Sequence, residues 1–183
     1  MPEPSSSARH AVLISGSPSA TSRSRALLEC AAAILERLGA RVTLVDLATL
    51  PAAALLGRER DAAVDAALGA ASSASLAVIA TPVYRATYTG LLKVFFDLMR
   101  PDTLRGTVAL AIATAASAEH ALAIPLGIAP LVASVGAIVA PVGVFATDAE
   151  FQDRRPTAAL EARLTQAVSD ARVLAQALHH SPS

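Results

Sequence analysis

Between residues 15 and 24 the chain reads Ser15-Gly16-Ser17-Pro18-Ser19-Ala20-Thr21-Ser22-Arg23-Ser24, five serines, a threonine and one arginine just ahead of a helical pattern. A helix start offers free backbone N–H groups and a positive dipole end. With the hydroxyls and the Arg23 guanidinium added, that set suits a single terminal phosphate monoester. One serine would be enough to cap a helix and shape a turn, so a cluster this dense favours anion binding over capping alone. The stretch is neither a GxGxxG nor a Walker loop, because the later glycines and the lysine are missing. A dinucleotide held on a glycine turn is therefore not expected.

A second set lies at Ala80-Thr81-Pro82-Val83-Tyr84-Arg85-Ala86-Thr87-Tyr88-Thr89-Gly90, which contains both tyrosines of a chain without tryptophan. Pro82, Val83 and Tyr84 would offer a flat aromatic ligand an apolar platform with backbone hydrogen bonds. The tyrosines would equally suit a subunit contact, and the two roles are compatible. Lys93, the sole lysine, stands four residues before Asp97, a spacing that favours a surface ion pair over catalysis. No Ser-His-Asp set and no metal-ligand cluster is apparent. Cys30 falls inside a helical pattern and reads as core packing. His10, His179 and His180 are not placed as ligands. Arg58, Arg60, Arg154 and Arg155 read as solvated, the alternative being that one meets a nucleotide phosphate.

These residues need elements to hold them. Five short β-rich apolar runs, His10 to Ile14, Arg41 to Val45, Leu76 to Ala80, Val108 to Ala113 and Ala137 to Val144, begin about 30 residues apart, the length of a strand-helix-strand unit. They are nearly continuous in apolar residues, as strands covered on both faces should be. Helical patterns lie between and after them, at Arg25 to Leu38 with Gly39 as a stop, at Leu91 to Met99, and at Thr157 to His180. The alternation predicts an α/β doubly wound, three-layer sandwich with a five-stranded parallel sheet in the order 2-1-3-4-5. In that order the loops after strands 1, 3 and 4 share one crevice at the carboxyl ends of the strands.

At 183 residues the chain is long enough for one domain, placed here at residues 10–180 behind a disordered lead of residues 1–9. Formal net charge is zero and only 16% of residues are charged, which argues against nucleic-acid binding. Apolar residues make up 54%, too many for disorder. A lone cysteine and no signal-peptide pattern point to the cytoplasm. The uncharged stretch Ala121 to Thr147 has the length of a membrane span, yet it carries three prolines and three glycines. A turn near Ser134-Val135-Gly136 is expected to split it into a helix and a strand, and its uncharged surface is a candidate subunit interface.

Gly16-Ser17-Pro18 with Ser22-Arg23-Ser24, then Thr81-Pro82-Val83-Tyr84 with Tyr88-Thr89-Gly90-Leu91-Leu92-Lys93 and Asp97, resembles the NAD(P)H-dependent FMN reductases. Among them the pattern is closest to the subfamily that serves alkanesulfonate monooxygenases. Asp46-Leu47 and Gly143-Val144-Phe145-Ala146 extend the likeness along most of the chain. It implies a flavodoxin-like fold, a homodimer or homotetramer, and hydride transfer from NADPH or NADH to FMN. Reduced flavin would then go to a flavin-dependent monooxygenase, in sulfonate desulfonation. Ser17, Ser22, Arg23 and Ser24, with Ser19 beside them, would hold the FMN phosphate, and Pro82, Val83 and Tyr84 would border the flavin ring. Thr114, Ala115, Ala116 and Ser117 would line its other side. No side chain would need to act as acid or base, and no metal is implied.

Three departures from the family pattern carry expectations. Ala115 and Ala116 stand where the family has two glycines, so two β-carbons should loosen flavin retention while leaving FMN usable as a transient substrate. Ser19 replaces a common arginine, which should weaken phosphate binding or shift the NADPH-NADH preference. Some relatives insert a tyrosine in the fourth helix, a feature tied to tetramers and flavin release. Leu126 stands there between Pro125 and Gly127, and that helix is expected to be irregular. His120 matches a family histidine near the flavin, or caps the fourth helix. The competing readings are an enzyme that keeps FMN and reduces a quinone, azo dye or metal ion, a flavodoxin-type electron carrier, and a scaffold that has lost flavin binding.

Overall fold

The computed structural model describes residues 10–180, so the expected lead at residues 1–9 lies outside the described residues. The first three elements are β1 (His10–Ser15), α1 (Arg23–Arg37) and β2 (Arg41–Asp46), followed by α2 (Ala52–Leu55) and α3 (Ala62–Ser72). Next come β3 (Leu76–Pro82), α4 (Gly90–Asp97) and β4 (Val108–Ala115). The last third holds a π-helical turn (Ile124–Ile128), α5 (Ala129–Ala133), β5 (Ile138–Val139), β6 (Val144–Thr147), the paired short strands β7 (Phe151–Gln152) and β8 (Arg155–Pro156), and α6 (Ala158–His180). Parallel pairing runs β2-β1-β3-β4-β5, as the alternation predicts.

Alternation along each strand builds two cores. Ala11 and Leu13, Leu76 and Val78, and Val108, Leu110 and Ile112 face α1 and α6. Val12 and Ile14, Ala77 and Ile79, and Ala109, Ala111 and Ala113 face α3, α4 and α5. Both faces are covered, which is why β1 and β4 are buried at every residue. β2, at the edge, is not. Each fully buried Leu or Ile contributes about 1.5–3 kcal/mol relative to exposure.

α1 begins where Ser22 caps it, its hydroxyl accepting from the Arg25 N–H, and ends at Leu38. Gly39 follows at φ +78°, a left-handed stop that a side chain would resist. The ion pair of Arg25 with Asp46 ties the start of this helix to the carboxyl end of β2. Cys30, half-buried, packs with the α1–α6 core as expected, and burial raises its thiol pKa.

The fifth run does not form the single strand expected over Ala137 to Val144. β5 pairs with the start of β4, Ala140 still donates to Ala109, and pairing resumes only at β6. Pro141 has no N–H to give the ladder. Gly143 passes so close to the π turn that a Cβ there would lie 2.9 Å from Ile124 and 3.0 Å from the Ala111 carbonyl. The fourth-helix region is irregular, as Pro125 foretells, with a π turn running into five α-helical residues. Gly136, at φ +89°, turns the chain and splits the uncharged stretch as expected. Among the described residues no helix is long and apolar enough to cross a membrane.

Candidate functional site

The register aligns the carboxyl ends. Ser15 lies opposite Asp46 and Ala80, Pro82 opposite Thr114, and Ala115 opposite Thr147. The loops that follow therefore leave the sheet along one edge and enclose an open cleft of about 470 Å³, within the range of small-molecule sites. Its walls carry Ser19, Thr21, Ser22 and Arg23 from the first loop, Pro82, Val83 and Tyr84 from the third, and Thr114, Ala115 and Ala116 from the fourth. Asp148 and Arg154 close the remaining side.

The serine loop is held from beneath. Gly16 donates its N–H to Ala80, 2.8 Å away, and a Cβ at Gly16 would meet Leu92 at 3.0 Å, so only glycine fits without movement. Thr89 is buried and does three things at once. Its hydroxyl donates to the Gly16 carbonyl at 2.6 Å, accepts from the Leu92 N–H to cap α4, and its own N–H donates to Thr81. The loop after β1 is thereby locked to the loop after β3.

Part of the serine cluster serves the turn itself. Ser17 is buried, donates to the Ser19 carbonyl and accepts from the Ser19 N–H. Ser24 is buried with its hydroxyl 3.2 Å from that of Ser22. These two expected phosphate ligands are not on the cleft wall, whereas Ser19, Ser22 and Arg23 are. Ser117 is also off the wall and accepts from the Glu119 N–H in a short 3₁₀ turn (Ala118–His120). That turn contains His120, which is likewise absent from the wall.

Only one of the two tyrosines faces the cleft. Tyr84 sits at the rim, 51% exposed, while Tyr88 is turned inward against the α4 core. Between them Arg85 and Ala86 both adopt positive φ, 51° and 68°, in a two-residue turn closed by reciprocal hydrogen bonds of Tyr84 and Thr87. A type I′ turn favours Asn-Gly or similar at those places, so this rim stores backbone strain. Val83 donates to the Thr114 carbonyl at 2.8 Å, which extends the ladder up to the rim. Gly127 of the π turn presses on the same segment, since a Cβ there would lie 2.5 Å from the Thr87 hydroxyl.

Three wall residues, Thr21, Asp148 and Arg154, were missing from the expected cofactor-binding set. Asp148 pairs with Arg23 at 3.1 Å. Arg154, expected to be solvated, lines the cleft from the turn between β7 and β8, where it and Asp153 again adopt positive φ. The signal was the loop after the fifth strand. Once β6 pairs directly with β4, that loop must reach the same edge as the other three. Lys93 and Asp97 form the expected ion pair on the exposed face of α4. With two guanidinium groups against one carboxylate on its walls, the cleft is suited to an anion.

The chain matches the sequence profile of the NADPH-dependent FMN reductase family over residues 10–152. It is 39% identical over 173 residues to the NADH-dependent FMN reductase SfnE of Pseudomonas putida, covering 92% of this chain and 93% of that protein. The FMN reductase (NADPH) of Escherichia coli K12 is 34% identical over 173 residues, covering 92% of this chain and 89% of the relative. The crystal structure of the apo form of the NADH:FMN oxidoreductase EMOB is similar at TM-score 0.84 and 33% identity, covering 91% of this chain and 89% of that one. A flavodoxin from an archaeon, at TM-score 0.66 and 13% identity, shares the fold.

Proposed function

This chain belongs to the NADPH-dependent FMN reductase family, and from that we infer that it reduces FMN with NADPH or NADH and passes the reduced flavin to a flavin-dependent monooxygenase. One observation carries the reading. The serine loop, the Pro82-Val83-Tyr84 rim and the Thr114-Ala115-Ala116 wall converge on a single cleft with Arg23 in its wall.

The wall chemistry fits the group. Arg23 has a buried Nε without a hydrogen-bond partner among the described residues, and Ser19 and Ser22 line the same cleft. An anionic phosphate monoester satisfies such donors. Val83 and Tyr84 present apolar surface to a planar ring. Bound FMN supplies the hydride-accepting chemistry. The chain's own part would be to bind and orient the flavin and the nicotinamide and partly shield them from water. In this reading Ser17 and Ser24 shape the phosphate loop through their bonds to Ser19 and Ser22, and Ser117 supports the fourth loop. Ala115 and Ala116 narrow the ring side of the cleft, in keeping with flavin that is held briefly.

A homodimer or homotetramer in the cytoplasm is the expected setting. Leu122 and Leu126, 62% and 72% exposed on the irregular fourth-helix region, favour an interface there. The test is titration of the flavin-free protein with FMN by fluorescence, followed by oxidation of NADPH and NADH with and without FMN. Flavin-dependent oxidation is expected, and its absence at saturating FMN overturns the reading.

A further inference from the structure

Arg23 already has a partner on one side of its guanidinium. Its Nη1 is 3.1 Å from Asp148 Oδ1, and its guanidinium carbon is 5.8 Å from the centre of the Phe151 ring. Its Nε, buried, has no hydrogen-bond partner among the described residues. Asp148 and Phe151 come from one short segment at the end of β6, and that segment is firmly placed. The Glu150 carboxylate accepts from the Thr147 N–H at 2.8 Å and pairs with Arg163 at 2.9 Å, while the Glu150 carbonyl accepts from Thr157. The backbone that carries Asp148 is therefore held in place, and its carboxylate lies on Arg23, the one cation of the serine loop, in the wall of the same cleft.

Resting on the flavin reading above, we propose that Asp148 sets the affinity for the flavin phosphate by competing with it for Arg23. Two anions share one guanidinium. Arg23 has donors for both, since Nε and Nη2 point elsewhere than Nη1. Yet a carboxylate already paired with the guanidinium lowers the net attraction that a phosphate feels, and adds its own repulsion. Both side chains are close to half exposed, 41% and 45%, so solvent screens the pair and the effect is moderate. Moderate weakening is what an enzyme needs if it must release its flavin product after each turnover. The same competition discriminates against nothing in the ring, so it acts only on flavins that carry a phosphate.

The test is Asp148→Asn, which keeps shape and removes charge, with FMN and riboflavin titrated in parallel and FMN release followed by stopped flow. FMN is expected to bind about three- to fivefold tighter and to leave correspondingly more slowly, with riboflavin unchanged. In an Arg23→Ala background the gain from Asp148→Asn should vanish. Unchanged or weaker FMN binding by Asp148→Asn overturns the proposal, because Asp148 would then be orienting Arg23 for the phosphate. A gain that persists without Arg23, or that appears equally with riboflavin, also overturns it. Failure of the unaltered protein to bind FMN at all would instead remove the flavin reading on which the proposal stands.

Discussion

Replacing Thr89 by valine keeps the branched shape and removes one hydroxyl, and the structure assigns that hydroxyl two partners. Loss of the cap on α4 costs about 1 kcal/mol. Loss of the donor to the buried Gly16 carbonyl leaves an acceptor unsatisfied, at about 1–3 kcal/mol. A methyl in place of the hydroxyl leaves no cavity, so the expected destabilisation is about 2–4 kcal/mol from these two losses alone. Urea unfolding followed by far-ultraviolet circular dichroism measures it, and Thr89→Ser, which keeps both bonds, should cost less than about 1 kcal/mol. Because Gly16 opens the serine loop proposed to hold the phosphate, Thr89→Val should also weaken FMN binding several-fold. A loss of stability below about 0.5 kcal/mol would refute the claim that this side chain locks the two loops together.

Arg23→Ala should weaken FMN about tenfold while leaving riboflavin binding within twofold, since only the phosphate loses a charged partner; equal loss for both flavins would place the phosphate elsewhere. Ala115→Gly with Ala116→Gly should tighten FMN several-fold in the same titration while costing about 0.5–1 kcal/mol of stability per site in urea. His10 starts β1 buried, its Nε2 3.0 Å from the Thr43 hydroxyl, and burial, with Arg41 nearby, lowers its pKa. A pKa depressed by folding means that the unfolded chain takes up the proton first, so stability is present above about pH 6.5 and falls as pH drops below it. His10→Gln should accordingly show a smaller drop in urea midpoint between about pH 7.5 and pH 5.5 than the unaltered protein. Lys93→Ala, which breaks an exposed ion pair on α4, should leave both the urea midpoint and flavin-dependent turnover unchanged.

The sequence by itself determined the sheet and most of the cleft. Apolar runs spaced by about one strand-helix-strand unit leave few topologies open, and the doubly wound order brings the loops after β1, β3 and β4 to one edge. That is why Ser19, Ser22, Arg23, Pro82, Val83, Tyr84, Thr114, Ala115 and Ala116 were legible before any coordinates. Only the tertiary structure decided which hydroxyls face the cleft and which hold the loop. Ser17 and Ser24 are buried and hydrogen-bonded to Ser19 and Ser22 within the loop, which no local pattern encodes. The break in the fifth strand has a local cause in Pro141, but the close approach of Gly143 to Ile124 is set by packing between elements. Asp148 belongs to the cleft only because β6 pairs with the end of β4. Periodicity reports which face of an element is buried; which side chain meets which across a gap depends on packing between elements, and that is where the Arg23–Asp148 pair arises.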